Sequence, residues 1–155
     1  HSNIKSLYQN VFEKSSFSGP PFNTSIFKSF LKDKNLDFKM IGYQEQNNEM
    51  LSFSSYFIID NILYSYYVGL DYHINSTYQL YNRMLYDMLE IGIRNRVKKV
   101  IYGRTAAELK STIGAVPSNS KSAVYISNRI LNVILKPFVS KLALKKWLPR
   151  DPFKK

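Results

Sequence analysis

Residue types that bind anions cluster at the end of the short apolar run at 99–103. Gly103 closes this run, Arg104 and Thr105 follow it, and Lys110 lies five residues further on. A guanidinium can hold a phosphate through two parallel hydrogen bonds, and a lysine ammonium adds a point-like positive charge. If a helix follows, the N–H groups at its start would point at the same anion. The segment therefore predicts an anion-binding site.

Two neighbours of these residues could move protons. Glu108 is the carboxylate best suited to deprotonate an attacking amine, and Tyr102 could protonate a departing thiolate or hydroxyl. We therefore predict that Glu108 and Tyr102 are catalytic. For Glu108 the alternative is a surface ion pair with Arg104. For Tyr102 the alternative is plain packing, since the chain has 12 tyrosines.

A second candidate anion site lies in the stretch 70–77, between a predicted strand and a predicted long helix. We expect Ser76 or Thr77 to cap this helix, and a helix N-terminus attracts phosphate. Tyr72 belongs to the same predicted site because it lies at the strand end. The stretch also contains Asp71, which has the wrong charge for phosphate. An ordinary capped helix is the alternative.

The composition excludes several kinds of active site. The 155-residue chain has no cysteine, which removes disulfides, thiolate nucleophiles and thiolate metal ligands. His1 and His73 are its only imidazoles, too few for a histidine metal site or a Ser-His-Asp triad. We therefore expect no metal, and direct attack by an amine without a covalent enzyme intermediate. The missing cysteines also fit a reducing compartment, so we expect a cytoplasmic protein.

Positive charge is concentrated in the C-terminal part of the chain. Residues 1–93 carry 7 basic and 9 acidic side chains, whereas residues 94–155 carry 15 basic and 2 acidic ones. A field of this size favours an anionic partner, such as a phosphorylated small molecule, RNA or lipid headgroups. A solvated basic face is the alternative.

The elements that must position these residues follow from hydrophobic periodicity and turn chemistry. Helical spacing predicts helices, and alternation predicts strands, two of them joined by a two-residue turn at Asp60-Asn61. A meander followed by helix, strand and short helix argues against a doubly wound sheet and for an α+β (mixed α/β) fold. The predicted segments are helices 4–14 and 24–34 (capped by Thr24 or Ser25), strands 38–44, 50–59 and 62–70, a helix from Ser76 or Thr77 to about 96, strand 99–103, helix 106–111, strand 122–127, and a terminal helix from Ser127 or Asn128, broken or bent at Pro137.

This order resembles that of the GNAT-type acyl-CoA N-acyltransferase superfamily. Over about residues 4–127 the sequence also looks like bacterial GNAT-like proteins related to Fem-type peptidoglycan aminoacyltransferases. The residues that carry this resemblance are Gly69-Leu70-Asp71-Tyr72, the helix after them, and Gly103-Arg104-Thr105, Glu108, Lys110 and Gly114-Ala115.

The resemblance implies a GNAT-like fold and a transferase function. In that fold the strand after the long helix lies parallel to the last meander strand and splays from it to open a cleft, with helices on both faces. The donor would be acyl-CoA, with its pyrophosphate at the stretch 70–77, or an aminoacyl-tRNA. The acceptor would be an amine, and Lys110 would lie near the phosphates of a phosphorylated substrate. The alternative is a non-catalytic GNAT-like half that binds RNA, a phosphorylated precursor or a membrane surface.

The resemblance and the lack of an initiator methionine also predict how the chain is organised. We expect residues 1–155 to be one domain, the C-terminal half of a larger protein whose N-terminal domain is missing. Residues 128–155 are predicted to form a basic amphipathic helix and an extended tail. This helix would pack on the domain or on the N-terminal half. The alternative is that it lies on the inner face of an anionic membrane.

Overall fold

The computed structural model describes residues 2–15, 20–103, 106–118, 127–139, 150 and 152. They belong to two compact units, His1–Arg104 and Thr105–Lys155. The first unit contains a four-stranded sheet and its helices, and the second contains two described helices. The expectation of one domain over 1–155 stays a prediction.

The sheet confirms the predicted meander. Its strands are β1 (Phe38–Gln44), β2 (Met50–Ile59), β3 (Ile62–Leu70) and β4 (Lys99–Ile101), in the spatial order β1-β2-β3-β4. The first two neighbouring pairs are antiparallel. The turn between β2 and β3 consists of Asp60 and Asn61 at φ 52° and 62°, the left-handed conformation that a two-residue hairpin turn of this kind requires.

The last pair of strands is parallel, as the resemblance implied. The pairing between β3 and β4 covers three residue pairs and ends where Tyr64 lies opposite Ile101. Strand β3 continues for six residues beyond Tyr64, to Leu70. Over this length no described strand pairs with β3 on the side that β4 occupies.

Helices cover both faces of the sheet. Neighbouring residues of a strand point to opposite faces, and on β2 Phe57 packs in the cluster of α1 (Ser2–Lys14) and α2 (Phe27–Lys32). Tyr56 and Ile58 pack instead in a cluster with Met88 and Ile91, which belong to the long helix on the other face. The predicted placement of helices is therefore confirmed.

The start of α2 differs from the prediction. A single 3-10 turn, Thr24–Ile26, precedes the helix, and Asn23 is the capping residue rather than Thr24 or Ser25. The Asn23 side-chain oxygen accepts the Ser25 N–H at 3.1 Å. An asparagine at this position satisfies an N–H that the helix itself cannot bond, which is why it takes the role.

The second unit contains α5 (Ala107–Ser111) and α6 (Arg129–Val139). The N-cap of α6 is Asn128, as predicted, because its side-chain oxygen accepts the N–H groups of Ile130 and Leu131. The helix continues through Pro137 rather than breaking there. The predicted strand 122–127 lies almost wholly outside the described residues. None of the described helices has the length and apolar character that crossing a membrane requires.

Gly69 allows α1 to approach β3 closely. A Cβ at this position would lie 2.8 Å from the Leu7 carbonyl carbon and the Tyr8 nitrogen, and would also clash with the Phe53 ring. Backbone atoms of a packed helix cannot yield as a flexible side chain can, so only glycine fits here.

We expect Gly69→Ala to lower the free energy of unfolding by about 1–3 kcal/mol, because the methyl group overpacks this contact. Urea unfolding followed by circular dichroism measures the change. Gly42→Ala is the matched control, since a Cβ there meets only the end of the Met50 side chain at 3.4 Å. Equal stability of the two variants would contradict the proposed close approach.

Candidate functional site

The stretch after β3 forms a helix of its own, α3 (Tyr72–Tyr78), before α4 (Leu80–Arg94) begins. The residue that caps α3 is Asp71, whose carboxylate accepts the His73 N–H at 2.8 Å. The prediction that Ser76 or Thr77 caps the long helix is therefore wrong, since both lie inside α3. Anion binding by these two residues stays a prediction, without the helix N-terminus that motivated it.

The start of α4 is also occupied by the chain's own side chains. Gln79 adopts the left-handed conformation at φ 51° and separates the two helices. The Tyr81 N–H, one of the donors that a helix start leaves free, bonds to the Asn75 side-chain oxygen at 3.0 Å. A pyrophosphate bound here would have to displace Asn75 and lie near the negative charge of Asp71.

Tyr72 is packed at this end of the sheet, in a cluster with Leu51 and Leu70. Burial raises the pKa of its hydroxyl. The Lys14 ammonium lies 3.9 Å from the centre of the Tyr72 ring, at the distance of a cation–π contact. Sequence reasoning missed Lys14, because only the packing of α1 on the sheet brings it to the end of β3.

Tyr102 follows β4 and is bonded to the long helix. Its hydroxyl donates to the Leu85 carbonyl at 2.9 Å, and burial raises its pKa to about 12. This hydrogen bond ties the end of β4 to α4, so Tyr102 has a structural role. Its predicted catalytic role stays a prediction. Gly103 is exposed and adopts φ 71°, which glycine reaches without strain.

In the second unit, Glu108 is engaged in an ion pair. Its carboxylate accepts the Arg150 side chain at 2.7 Å and 3.2 Å, and both side chains are more than half exposed. The Arg150 N–H also donates to the Ser111 hydroxyl, which in turn donates to the Glu108 carbonyl. A salt bridge was the alternative for Glu108, but its described partner is Arg150, not Arg104.

Lys110 is buried, with 7 % of its surface exposed. Loss of hydration lowers the pKa of its ammonium to about 8, so a small fraction of the side chain is neutral at pH 7. An anion bound next to Lys110 would raise this pKa again. Arg104 and Thr105 lie outside the described residues, so their predicted convergence with Lys110 stays a prediction.

A half-buried polar network on the α4 face of the sheet was not predicted from the sequence. The Tyr43 hydroxyl donates to the Asp87 carboxylate at 2.7 Å, and Arg83 pairs with the same carboxylate at 2.8 Å. Asp87 is 13 % exposed, and burial raises the pKa of Tyr43. The network ties β1 to α4. Its only sequence signal is the spacing of Arg83 and Asp87 by one helical turn.

A cleft of about 560 Å³ opens on the other face, between α1 and the segment that leads into α2. Its walls combine apolar side chains such as Ile4 and Leu31 with the cations Lys5 and Lys28 and the polar Gln9. The volume of the cleft and its mixture of apolar and polar side chains are suited to a small molecule with polar groups. None of these residues was predicted as a site residue, because their spacing in the sequence matches no motif.

Three solved structures match this fold. A tetramutant of the BH1408 protein from Bacillus halodurans matches with a TM-score of 0.58 and 10 % identity, over 81 % of this chain and 93 % of that one. A second mutant of that protein matches with a TM-score of 0.56 and 9 % identity, over the same shares of the two chains. An aminoglycoside acetyltransferase from an uncultured soil metagenomic sample, in complex with sisomicin, matches with a TM-score of 0.52 and 12 % identity. The match covers 82 % of this chain and 86 % of that one.

The chain has a GNAT-like fold. Its described strands form a mixed sheet with one parallel pair, and the chain matches the acetyltransferase in fold; at this identity the likeness shows the fold alone. No family model matches the sequence, and no curated protein matches it. The resemblance to Fem-type enzymes is not part of what these matches show.

We expect removal of the Asp87 carboxylate to destabilise the protein, because the half-buried Tyr43 hydroxyl loses its short hydrogen bond and keeps only the Ser54 hydroxyl nearby, at 3.4 Å. Asp87→Ala should lower the free energy of unfolding by about 1–3 kcal/mol. The loss should be smaller by at least about 0.5 kcal/mol in a Tyr43→Phe background, which a double-mutant cycle measures. The control is Glu90→Ala, which breaks an exposed ion pair on the same helix at a cost below about 1 kcal/mol. Additive losses would contradict the coupling.

We expect Lys110 to make stability rise with pH above about 8. In the folded protein its pKa is about 8, while the unfolded chain keeps the ordinary value of 10.5. Between these values the unfolded state binds more protons, so stability rises by up to about 1.4 kcal/mol per pH unit. Thermal unfolding of the parent and of Lys110→Met between these two pH values tests this. If the difference in stability between the parent and Lys110→Met stayed the same at every pH tested, the lowered pKa of Lys110 would be contradicted.

Proposed function

We propose that the chain catalyses transfer of an acyl or aminoacyl group from an activated carrier to an amine. The observation that carries this proposal is the parallel pair β3–β4, whose pairing ends at Tyr64 and Ile101 while β3 continues to Leu70. Backbone groups of a strand that lack a neighbouring strand can bond to an extended, amide-containing ligand. The acetyltransferase with this fold supports acyl transfer at the level of the fold.

The reaction would be a direct transfer. The amine nitrogen forms a bond to the carbonyl carbon of the donor, and the bond from that carbon to the carrier's sulfur or oxygen breaks. The amine gives up one proton, and the departing thiolate or alkoxide takes one to become a thiol or a hydroxyl. We propose Glu108 as the group that accepts the amine proton, in which case its ion pair with Arg150 must loosen during the reaction.

The donor divides the proposal into two forms. An acyl-CoA needs a place for its pyrophosphate, and the stretch after β3 presents the carboxylate of Asp71 there, with one N–H at each helix start already bonded to a side chain. Lys14 lies at this end of β3, but its ammonium is placed over the Tyr72 ring. We therefore propose a carrier whose phosphates lie elsewhere, at Arg104 and Lys110, and the resemblance to Fem-type enzymes makes aminoacyl-tRNA the first choice.

We expect the full chain to transfer a labelled amino acid from aminoacyl-tRNA to an amine, and Arg104→Ala and Lys110→Ala to reduce the rate at least about tenfold while the fold is retained. Lys98→Ala, at an exposed cation outside the proposed site, is the control. The acyl-CoA form is tested in parallel by the release of free thiol, which is measured without background because the chain has no cysteine. Transfer from neither carrier to any amine offered would contradict the proposal.

The second candidate function is binding without catalysis. Two observations favour it: the capped helices in the stretch after β3, and the excess of basic residues at 94–155. Both fit a GNAT-like half that binds an anion while another domain carries out the reaction. Binding of tRNA should then weaken steeply as salt is raised. A tRNA affinity that stays the same as the salt concentration is raised would contradict this candidate.

A further inference from the structure

The surface of α6 is unusually apolar for a helix in contact with water. Five successive or nearly successive large apolar side chains are exposed by between 39 % and 75 % of their surface. Burying such side chains would be favourable, because it removes apolar surface from water. They are Ile130, Leu131, Val133, Ile134 and Leu135.

These side chains form one broad face of the helix. At about 100° per residue, the five positions occupy an arc of about 200°, while Arg129 and Asn132 share the opposite side. The Asn128 side chain caps the first turn by accepting the N–H groups of Ile130 and Leu131. The helix is therefore a formed amphipathic element with a wide apolar face.

The sequence on both sides of α6 is basic. Residues 111–149, which lie between the buried Lys110 and the paired Arg150, contain six basic side chains and no acidic one. A partner for this face must therefore offer both an apolar interior and negative charge. RNA offers the negative charge but no apolar interior in which isoleucine and valine side chains could be buried. A second copy of the chain would bring an equal excess of positive charge and would be repelled.

We propose that α6 binds in the plane of an anionic lipid bilayer. Its apolar face would lie at the boundary of headgroups and acyl chains, with Arg129 and the neighbouring cations beside the lipid phosphates. A basic amphipathic helix of this kind lies on a membrane surface and does not span it. The proposal does not depend on acyl transfer, and it would bring whichever reaction the chain carries out to a membrane surface.

Vesicle sedimentation with the full chain tests the proposal. We expect binding to vesicles of phosphatidylcholine with phosphatidylglycerol, and at least about tenfold weaker binding to phosphatidylcholine alone. The double variant Ile130→Ser/Ile134→Ser should lose at least about tenfold in affinity for the anionic vesicles, because two apolar side chains no longer enter the lipid. Val116→Ser is the matched control, since Val116 is 85 % exposed but lies outside α6.

A second measurement uses the single tryptophan, Trp147, which follows α6 by eight residues in the sequence. Its fluorescence should shift to shorter wavelength when anionic vesicles are added, and Arg129→Gln should weaken binding by about fivefold. Circular dichroism of each variant checks that the fold is retained, which we expect because the substituted side chains are exposed.

Several results would overturn the proposal. Equal binding to both kinds of vesicle, or unchanged binding by the double variant, would show that α6 does not act as an interfacial helix. Binding of tRNA that competes with vesicles and is unaffected by the double variant would make the basic segment an RNA site. A dimer in analytical ultracentrifugation that the double variant dissociates would make the apolar face a contact between two copies.

Discussion

The position of α1 on the sheet depends on the absence of a side chain at Gly69. The helix backbone at Leu7 and Tyr8 occupies the space that a Cβ would fill. This contact also fixes the end of α1, from which the Lys14 ammonium reaches over the Tyr72 ring. One close backbone approach therefore links the core of the first unit to the arrangement of charge at the end of β3, where the candidate site begins.

The same end of the sheet shows how the protein departs from the expected phosphate loop. A short helix, capped by Asp71, fills the space between β3 and α4, and Asn75 bonds to a donor at the start of α4. At each of these two helix starts, one N–H group is already bonded to a neutral or negative side chain of the chain itself. A ligand phosphate would form fewer hydrogen bonds to backbone N–H groups here than at an open glycine-rich turn. We therefore expect the anion site in the segment after β4.

The acidic and basic side chains have different uses in the two units. In the first unit, Asp71 caps a helix and Asp87 joins β1 to α4 through Tyr43. In the second unit, Glu108 pairs with Arg150, and the sequence offers only one other acidic residue there, Asp151. The basic excess is therefore not neutralised within its own unit, which is why both proposed activities involve an anionic partner.

The sequence by itself determined the elements whose signals are local. The strands β1 to β3 and the turn at Asp60-Asn61 follow from alternation and turn residues, which neighbouring residues decide. Other features depend on residues distant in the chain, and only the tertiary structure decided them. Gln79 divides the expected long helix by its left-handed conformation, and Asn75 bonds to the start of the second part. Lys110 has a lowered pKa because packing removes its water. No pattern around Glu108 could indicate Arg150, since 42 positions separate them and only folding brings the two charges together.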